Sequence, residues 1–314
     1  MNMPHEKIMV TGINGFVGKH LVRELAGRGV EVVGAGREAT VHPEIAELLS
    51  DYFVCELTDE VSVKKLPLGD IDAVISLAGL ANVGASFDQP DLYKKVNVAV
   101  LAVLGVEILA QGLSTRVLAI STGAVYDADQ PTPLTEVSKV ITSGSPYALS
   151  KIAMEQTAVE MRSRGLNCAV VRPFNHVGPG QEGGFLVPDL YAKIQTARKT
   201  DGVVLVGDLT TKRDYTDVRD VVRAYADLAL AEQLDEPIYN VCSGRSVAGE
   251  TILELMLKSA KATGEVTVQS DQSLMRPSDP KDLFGSNELL RKATGWQPNI
   301  PLDQTIQDFV DSKK

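Results

Sequence analysis

The 314-residue sequence predicts an α/β protein built around a doubly wound parallel sheet. Short strand-like apolar runs alternate with helical patterns from the start of the chain, which is typical of repeated βα units. A glycine-spaced segment, Thr11–Gly18, lies between the first strand-like run and the first helical pattern. The apolar fraction is 44 %, which is ordinary for a globular protein and sufficient for a sizeable core.

The first part of the chain supplies five predicted strands: Lys7 to Thr11, Val30 to Ala35, Tyr52 to Cys55, Ala73 to Leu77 and Arg116 to Ser121. Helical patterns lie between most of them, and the first runs from His20 to Arg28. The segment from Leu92 to Ala110 is apolar nearly all round, whereas a helix that packs only on a sheet shows a single apolar stripe. We therefore expect this helix to bury a second face against another subunit.

The glycines of Thr11–Gly18 predict a nucleotide-binding turn. Gly12 permits a sharp turn, Gly15 lets the backbone approach phosphates, and Gly18 lets helix and strand pack closely. The helix that follows offers free N–H groups and the positive end of its dipole to a pyrophosphate. Glycines also occur as simple loop residues, but these lie between a predicted strand and a predicted helix.

The end of the second strand predicts the cofactor. Gly36-Arg37 stands where an NAD site carries an Asp or Glu for the ribose hydroxyl. A guanidinium binds a 2′-phosphate in bidentate fashion. We therefore expect NADP(H), with NAD(H) as the alternative; Arg37 could also be a surface arginine in a loop.

A tyrosine and a lysine predict the chemistry. The segment Ser145–Lys151 looks like a helix start with proline in its first turn, so Tyr147 and Lys151 lie four residues apart on one face. A cation beside a phenol favours the phenolate and lowers its pKa. Such a tyrosine can exchange a proton with an oxygen on a carbon that gains or loses hydride. Thr122, after the fifth strand, would be a second partner for that oxygen; the alternative is a surface pair without a role.

Composition argues against several classes of function. The net charge of −10, without a basic cluster, disfavours nucleic acid and anionic membranes as partners. No run of about 18 apolar residues is present, and the N-terminus is short and polar, so we expect a cytoplasmic protein with no membrane span. Cys55, Cys168 and Cys242 are expected to be reduced packing residues. No Cys or His pair has metal-ligand spacing, so no metal is expected.

Together these residues resemble the extended short-chain dehydrogenase/reductases, or NAD-dependent epimerase/dehydratase family, that act on nucleotide-sugars. The resemblance covers essentially the whole chain and includes the glycine turn, Leu77-Ala78-Gly79, Asn97, Ser121–Tyr126 and the pair Tyr147/Lys151. In the C-terminal half, five segments are similar to the GDP-4-keto-6-deoxymannose reductases: Arg172–Gln181, Arg213–Asp220, Tyr239–Gly244, Met275–Ser278 and Thr294–Pro298.

The resemblance implies two lobes and a set of site residues. A Rossmann domain would comprise residues 1–172 and 214–242, and a smaller nucleotide-sugar-binding lobe would comprise residues 173–213 and 243–314. Thr122, Tyr147 and Lys151 would be catalytic. Substrate contacts would come from Thr122, Asn175, Phe185, Val187, Arg213 and Arg276, the two arginines pairing with the diphosphate. The cofactor would contact Gly12, Asn14, Gly15, Phe16, Val17, Gly36, Arg37, Glu56, Leu57, Leu77, Ala78, Gly79, Asn97, Tyr147, Lys151, Pro173 and Asn175.

The expected reaction is reduction of a nucleotide-linked 4-keto-6-deoxyhexose at C4, with Tyr147 as the proton donor. Dehydratase relatives carry an acid pair directly after the catalytic threonine, where this chain has Gly123-Ala124. The alternatives are an NAD-dependent nucleotide-sugar 4-epimerase, a 4,6-dehydratase and a non-catalytic dinucleotide sensor. The resemblance further implies a homodimer through a four-helix contact.

Overall fold

Fourteen strands are present in the computed structural model, which describes residues 6–274 and 281–314. They are β1 (Lys7–Thr11), β2 (Glu31–Gly36), β3 (Asp51–Val54), β4 (Ala73–Ser76), β5 (Arg116–Ile120), β6 (Cys168–Pro173), β7 (Asn175–Val177), β8 (Val203–Val206), β9 (Lys212–Arg213), β10 (Tyr215–Asp217), β11 (Ile238–Val241), β12 (Val247–Ala248), β13 (Thr267–Ser270) and β14 (Asp282–Leu283).

Eleven α-helices are found within the same described ranges. They are α1 (Phe16–Gly27), α2 (Pro43–Ala46), α3 (Glu60–Val63), α4 (Val83–Ser86), α5 (Pro90–Ala110), α6 (Pro146–Ser163), α7 (Leu186–Ala197), α8 (Val218–Leu230), α9 (Gly249–Ser259), α10 (Glu288–Thr294) and α11 (Leu302–Asp311).

The central sheet has seven parallel strands in the order β11-β6-β5-β4-β1-β2-β3. The predicted doubly wound parallel sheet is therefore confirmed. The strand order reverses at β1, which pairs with β2 on one side and β4 on the other. Open α/β sheets bind their ligands beyond the carboxyl ends of the strands at this switch point. The glycine turn after β1 and the loop after β4 both lie there.

Helices cover both faces of the sheet because successive side chains of a strand point to opposite sides. Ile8 and Val10 of β1 pack in a cluster with α1, α8 and Trp296, whereas Met9 packs in the opposite cluster with α5 and α6. Both clusters contain fully buried apolar side chains, and each 10 Å² removed from water contributes about 0.25 kcal/mol. The sheet is thus a rigid support for the loops at its carboxyl edge.

A third buried cluster lies among α7, α9 and α11 and includes Val187, Met256 and Phe309. The short strand β9 lies between β12 and β14, and β7 pairs in parallel with β10. Leu290 and Trp296, close to the C-terminus, pack instead in the cluster of Ile8 and Val10, on the face of the sheet that α1 and α8 cover. The division into two lobes at residues 173, 214 and 243 stays a prediction.

Predicted and observed boundaries differ by a few residues. The first helix begins at Phe16, earlier than the predicted His20, because Gly15 already has the extended conformation of an N-cap. The helix α6 begins at Pro146 behind Ser145, as its sequence predicts. All three cysteines are buried free thiols, and burial raises the pKa of each. Within the described ranges no helix is long and apolar enough to cross a membrane.

Candidate active site

The glycine turn depends on two positions that accept no side chain. Gly12 has a φ of +69°, and a Cβ there would lie 3.0 Å from the backbone N of Ala78. A Cβ at Gly18 would lie 2.5 Å from the Gly12 carbonyl oxygen and 2.7 Å from Ile13 Cα. A Cβ at Gly15 would meet only that same carbonyl oxygen, at 3.2 Å. Gly18 thus brings the helix against the turn itself, while the turn stays open beside Gly15.

The start of α1 is open to an anion. Gly15 is its N-cap and has no side chain to accept from the first turn, and that turn contains no acidic residue. Phe16 and Val17, which follow, are half-buried. Backbone N–H groups at such a terminus attract negative charge.

Asn14 has a different local role from its neighbours. Its Nδ2 donates to the Thr40 carbonyl oxygen at 3.0 Å, and its Oδ1 accepts from the His42 backbone N at 2.8 Å. The side chain therefore links the glycine turn to the loop after β2.

The end of β2 carries a carboxylate as well as the predicted guanidinium. Arg37 is exposed directly after the strand. A Cβ at Gly36 would lie 2.9 Å from Glu38 Oε2, so that carboxylate folds back towards the strand end. The Tyr52 hydroxyl donates to the Glu38 carbonyl oxygen at 2.8 Å and fixes the loop. Sequence reasoning missed Glu38, although its position next to Arg37 was the available signal.

Glu56 and Leu57, the predicted cofactor residues after β3, make contacts with other residues of the protein. Glu56 Oε1 accepts from both the backbone N and the hydroxyl of Thr58, at 3.1 and 2.7 Å. Leu57 is buried against α5 in the core of one sheet face. In this chain Leu57 supports the core rather than lining an open surface.

The loop after β4 is held by Asn97 of α5. Its Oδ1 accepts from the Leu80 backbone N at 2.8 Å, and its Nδ2 donates to the Leu80 carbonyl oxygen and to Ser150 Oγ. Ser150 in turn donates to the Tyr147 carbonyl oxygen at 2.7 Å. Asn97 therefore joins the loop Leu77–Gly79, through Leu80, to the first turns of α6.

The loop also rests on β1. The Ala78 backbone N donates to Thr11 Oγ1 at 3.1 Å, so the end of β1 sets the position of the loop after β4. Gly79 is exposed, and a Cβ there would lie 2.7 Å from Asn97 Oδ1.

Thr122, Tyr147 and Lys151 come together beyond the end of β5. Thr122 caps the short turn that follows, accepting from the Ala124 backbone N at 3.1 Å, and it shares a hydrogen bond with Tyr147. Lys151 is buried, and its Nζ donates to the Ile120 carbonyl oxygen at 2.8 Å. Ser145 caps α6, so the tyrosine enters at the first turn of the helix and the lysine one turn later.

The electrostatics of the pair differ from the sequence-based expectation. Burial raises the pKa of Tyr147 to about 12, and the hydrogen bond from Thr122 opposes the rise only in part. Burial also lowers the pKa of Lys151 to about 8, with Glu155 opposing. The predicted lowering of the tyrosine pKa is therefore wrong for the chain alone, because desolvation is the largest influence on the phenol. The Tyr147 phenol is therefore protonated at neutral pH.

Gly123, the position after Thr122, has no room for a side chain. A Cβ at Gly123 would lie 2.9 Å from two atoms of the Phe174 ring. The same ring lies 2.6 Å from where a Cβ at Gly285 would be, and it stacks on Tyr126 with centroids 6.0 Å apart. Phe174 therefore fills the space beside Gly123, and the adjacent Ala124 is exposed.

The segment after β6 passes close to the glycine turn. Pro173 ends β6 in the core, and Asn175 begins β7 with an exposed side chain. His176 stacks on Phe16, with ring centroids 6.1 Å apart, and its Nδ1 lies 3.1 Å from the Phe174 carbonyl oxygen. Burial lowers the pKa of His176, so the ring is neutral and Nδ1 is the donor. The stack places Asn175 near the start of α1.

The predicted substrate residues divide into exposed and buried ones. Phe185, the N-cap of α7, is 48 % exposed, whereas Val187 is fully buried in the third cluster and supports the core. Arg213 is half-buried in β9, and its Nη1 donates to the Lys212 carbonyl oxygen at 2.7 Å. Arg276 lies outside the described residues. Among those described, no group of three His, Cys, Asp or Glu side chains could hold a metal ion.

Comparison with known proteins identifies the family. Residues 8–242 match the model of the NAD dependent epimerase/dehydratase family, and the chain belongs to that family. It is 33 % identical to the GDP-6-deoxy-D-mannose reductase of Pseudomonas aeruginosa over 97 % of this chain and 96 % of the relative. It is 28 % identical to the UDP-glucose 4-epimerase of Erwinia amylovora, with 96 % of each chain covered.

The structure of RMD from Pseudomonas aeruginosa complexed with NADPH is similar over 98 % of both chains, with a TM-score of 0.82 and 31 % identity. The resemblance to the extended short-chain dehydrogenase/reductases is therefore confirmed, and the chain is an NAD(P)-dependent enzyme of the nucleotide-sugar type.

Proposed function

We propose that this member of the epimerase/dehydratase family is an NADP(H)-dependent reductase of a nucleotide-linked 4-keto-6-deoxyhexose, with GDP-4-keto-6-deoxymannose as its substrate. The observation that carries the proposal is the Thr122–Tyr147–Lys151 arrangement beside Gly123. The protonated phenol of Tyr147 can give its proton to an oxygen. The two positions after Thr122 are Gly123 and Ala124, and neither has an acid that could take part in the elimination of water. The likeness to a GDP-6-deoxy-D-mannose reductase supports the choice of substrate.

The residues at the start of α1 fit a dinucleotide. The turn is open beside Gly15, and the first turn of α1 has neither a side-chain cap nor an acidic residue that would compete with a pyrophosphate. Asn97 and Thr11 hold the loop Leu77–Gly79 in place for contact with the same group. When bound, the nicotinamide supplies the hydride that reduces the carbonyl carbon C4.

The side chains then handle the oxygen. Tyr147 gives its proton to the carbonyl oxygen as C4 gains hydride, so that the ketone becomes an alcohol and the tyrosine a phenolate that regains a proton from solvent. Thr122 donates a hydrogen bond to the same oxygen and stabilises its developing charge. Lys151 bears a positive charge beside the site, which favours the transient phenolate.

Arg37 supports NADPH as the cofactor because an exposed guanidinium at the end of β2 suits a 2′-phosphate. The relative whose structure contains NADPH is consistent with this choice. The Glu38 carboxylate at the same strand end would repel a 2′-phosphate and can accept from a ribose hydroxyl, so it is the feature that favours the alternative, NAD(H).

The substrate is an anion and the protein carries a net charge of −10, so local cations must hold the diphosphate. Arg213 and Arg276 are proposed for this role, with Asn175 at the sugar or diphosphate and exposed Phe185 beside the base. Arg276→Ala is expected to raise KM for the nucleotide-sugar and to leave cofactor affinity unchanged, as loss of uniform binding does.

A homodimer is proposed through α5 and α6. Both helices expose apolar side chains, among them Leu92 and Val106 on α5 and Val159 on α6. Pairing the two helices with those of a second copy would give the four-helix contact. A monomeric mass in sedimentation at micromolar concentration would contradict it. A cytoplasmic location is proposed as well, because the three cysteines are free thiols, as is typical of proteins in a reducing compartment.

The second candidate is an NAD-dependent nucleotide-sugar 4-epimerase, which the 28 % identical relative favours. One experiment separates the two. Purified protein is mixed with GDP-4-keto-6-deoxymannose and NADPH, and nicotinamide absorbance is followed together with product. We expect one NADPH to be consumed per alcohol formed. In a parallel incubation with GDP-mannose, we expect no loss of water from that sugar. Protein that contains nicotinamide as purified, interconverts two nucleotide-hexoses and consumes no NADPH would establish the epimerase instead.

A further inference from the structure

A buried carboxylate lies directly behind the catalytic lysine. Glu155 is one turn after Lys151 on α6 and is 7 % exposed. Its Oε1 accepts from Ser121 Oγ at 2.5 Å and from Arg172 Nε at 2.9 Å, and its Oε2 accepts from Arg172 Nη2 at 2.6 Å. Helix α6 is thus joined to the residue that follows β5 through Ser121, and to β6 through a bidentate ion pair.

Lys151 and Glu155 lie one turn apart on the same face of α6, and the carboxylate acts on Lys151 through its charge rather than by a direct hydrogen bond. Residues four apart on a helix have Cβ atoms about 5–6 Å apart, and both side chains are buried. Of the titratable groups near Lys151, Tyr147 of the same helix is neutral and Arg172 of β6 is cationic and already paired with Glu155. On β5 the lysine meets the uncharged Ile120 carbonyl oxygen. Glu155 is the anion in this set.

We propose that Glu155 is a positioning residue of the active site, whose buried carboxylate keeps Lys151 protonated through neutral pH and fixes the β5 segment that carries Thr122. The inference rests on the proposed reductase function for its catalytic meaning. The effect of Glu155 on the pKa of Lys151 does not depend on that function, because it involves only side chains of this protein.

The physical reason is competition between burial and charge. Burial lowers the pKa of Lys151 and Glu155 raises it, with about 8 as the outcome. At pH 7 the ammonium form therefore dominates. Removing the anion leaves desolvation unopposed, so the pKa must fall further, and loss of a nearby opposite charge is typically worth about 1–3 pH units. Lys151 would then lose its proton near or below neutral pH.

The test is an NMR titration of protein labelled with ¹³C at the lysine ε-carbons, in which loss of a signal in Lys151→Met assigns the resonance of Lys151. Glu155→Gln is expected to lower the apparent pKa of that resonance by at least about 1 unit. Glu160→Gln is the matched control, because it makes the same change at an exposed position of the same helix and should leave the titration unchanged. An unchanged titration in Glu155→Gln would overturn the proposal and leave Glu155 as half of a structural ion pair.

Glu155→Gln leaves the buried Arg172 guanidinium without its carboxylate, which can prevent folding. The double variant Glu155→Gln/Arg172→Gln removes both charges, and the Lys151 pKa should still fall in it. Glu155→Asp keeps the negative charge, so the pKa of Lys151 should be higher in it than in Glu155→Gln. A Lys151 pKa as low as in Glu155→Gln would show that the charge is not the cause and would overturn the proposal.

Activity provides the second measurement. The alkaline limb of kcat/KM should move to lower pH in the folded Gln variants and not in Glu160→Gln; coincident profiles would overturn the catalytic part of the proposal. If the unsubstituted protein reduces no 4-keto-sugar, the proposed function fails, whereas the NMR titration still decides the role of Glu155.

Discussion

Loss of the Asn97 side chain should perturb both the stability of the protein and its site, although Asn97 touches none of the proposed reacting atoms. Asn97→Ala removes three hydrogen bonds, two to Leu80 and one to Ser150 Oγ. A typical hydrogen bond contributes about 1 kcal/mol net, and a buried group left without a partner costs about 1–3 kcal/mol. Ser150 is 1 % exposed, whereas the Leu80 groups are partly exposed and can find water. We therefore expect a loss of about 2–4 kcal/mol in the free energy of unfolding.

The substitution should also lower activity, since Ser150 connects Asn97 to the turn that contains Tyr147. Loss of precise orientation by about 1 Å costs on the order of 10²-fold in rate, so we expect a fall in kcat of about 10- to 100-fold. Urea denaturation and steady-state kinetics measure the two effects. Asn167→Ala, at an exposed position, is the control. A destabilisation no larger than that of Asn167→Ala, below about 1 kcal/mol, would refute the reasoning.

Four further predictions concern the site directly. Tyr147→Phe should lower kcat by about 10²–10⁴-fold, the usual contribution of a general acid, with NADPH affinity by fluorescence titration unchanged; near-normal turnover would exclude it as the donor. Arg37→Ala should narrow the preference for NADPH over NADH by about 1–3 kcal/mol, and equal affinities in the unsubstituted protein would contradict this. Glu38→Gln should widen the preference for NADPH, and an unchanged ratio of affinities would contradict a role of Glu38. Gly123→Ala should destabilise by about 1–3 kcal/mol in thermal unfolding because its Cβ meets the Phe174 ring; an unchanged melting temperature would show that the ring moves freely.

Five of the seven strands of the central sheet could be predicted, because each of these five contains a short apolar run bounded by loop residues. The strand Lys7–Thr11 was predicted with the bounds that the structure has, and the fifth strand differs by one residue at its end. The start of α6 was predictable for a local reason, since Ser145 supplies the cap and Pro146 fits the first turn. The placement of Tyr147 and Lys151 on one face follows from the same helix.

The energetics of the site could not be predicted in this way, because they depend on segments far apart in sequence. Spacing alone suggested that Lys151 would lower the pKa of Tyr147, whereas burial raises it to about 12. Desolvation results from tertiary packing, which no short motif encodes. Glu155 had a local signal in its spacing from Lys151. Its partner Arg172 lies on another strand, so the ion pair became evident only in the fold.

Both residue type and packing exclude an acid directly after Thr122. The sequence shows that Gly123 has no carboxylate, but a missing group could be restored by one substitution. In the structure the Phe174 ring occupies the space beside Gly123 and is itself confined by Gly285, where a Cβ would lie 2.6 Å from it. A carboxylate at position 123 therefore requires the ring to move, and the ring has packed neighbours on both sides. The proposed proton donation by Tyr147, rather than elimination of water, is thus supported by the packing of the core as well as by the chemistry of one residue.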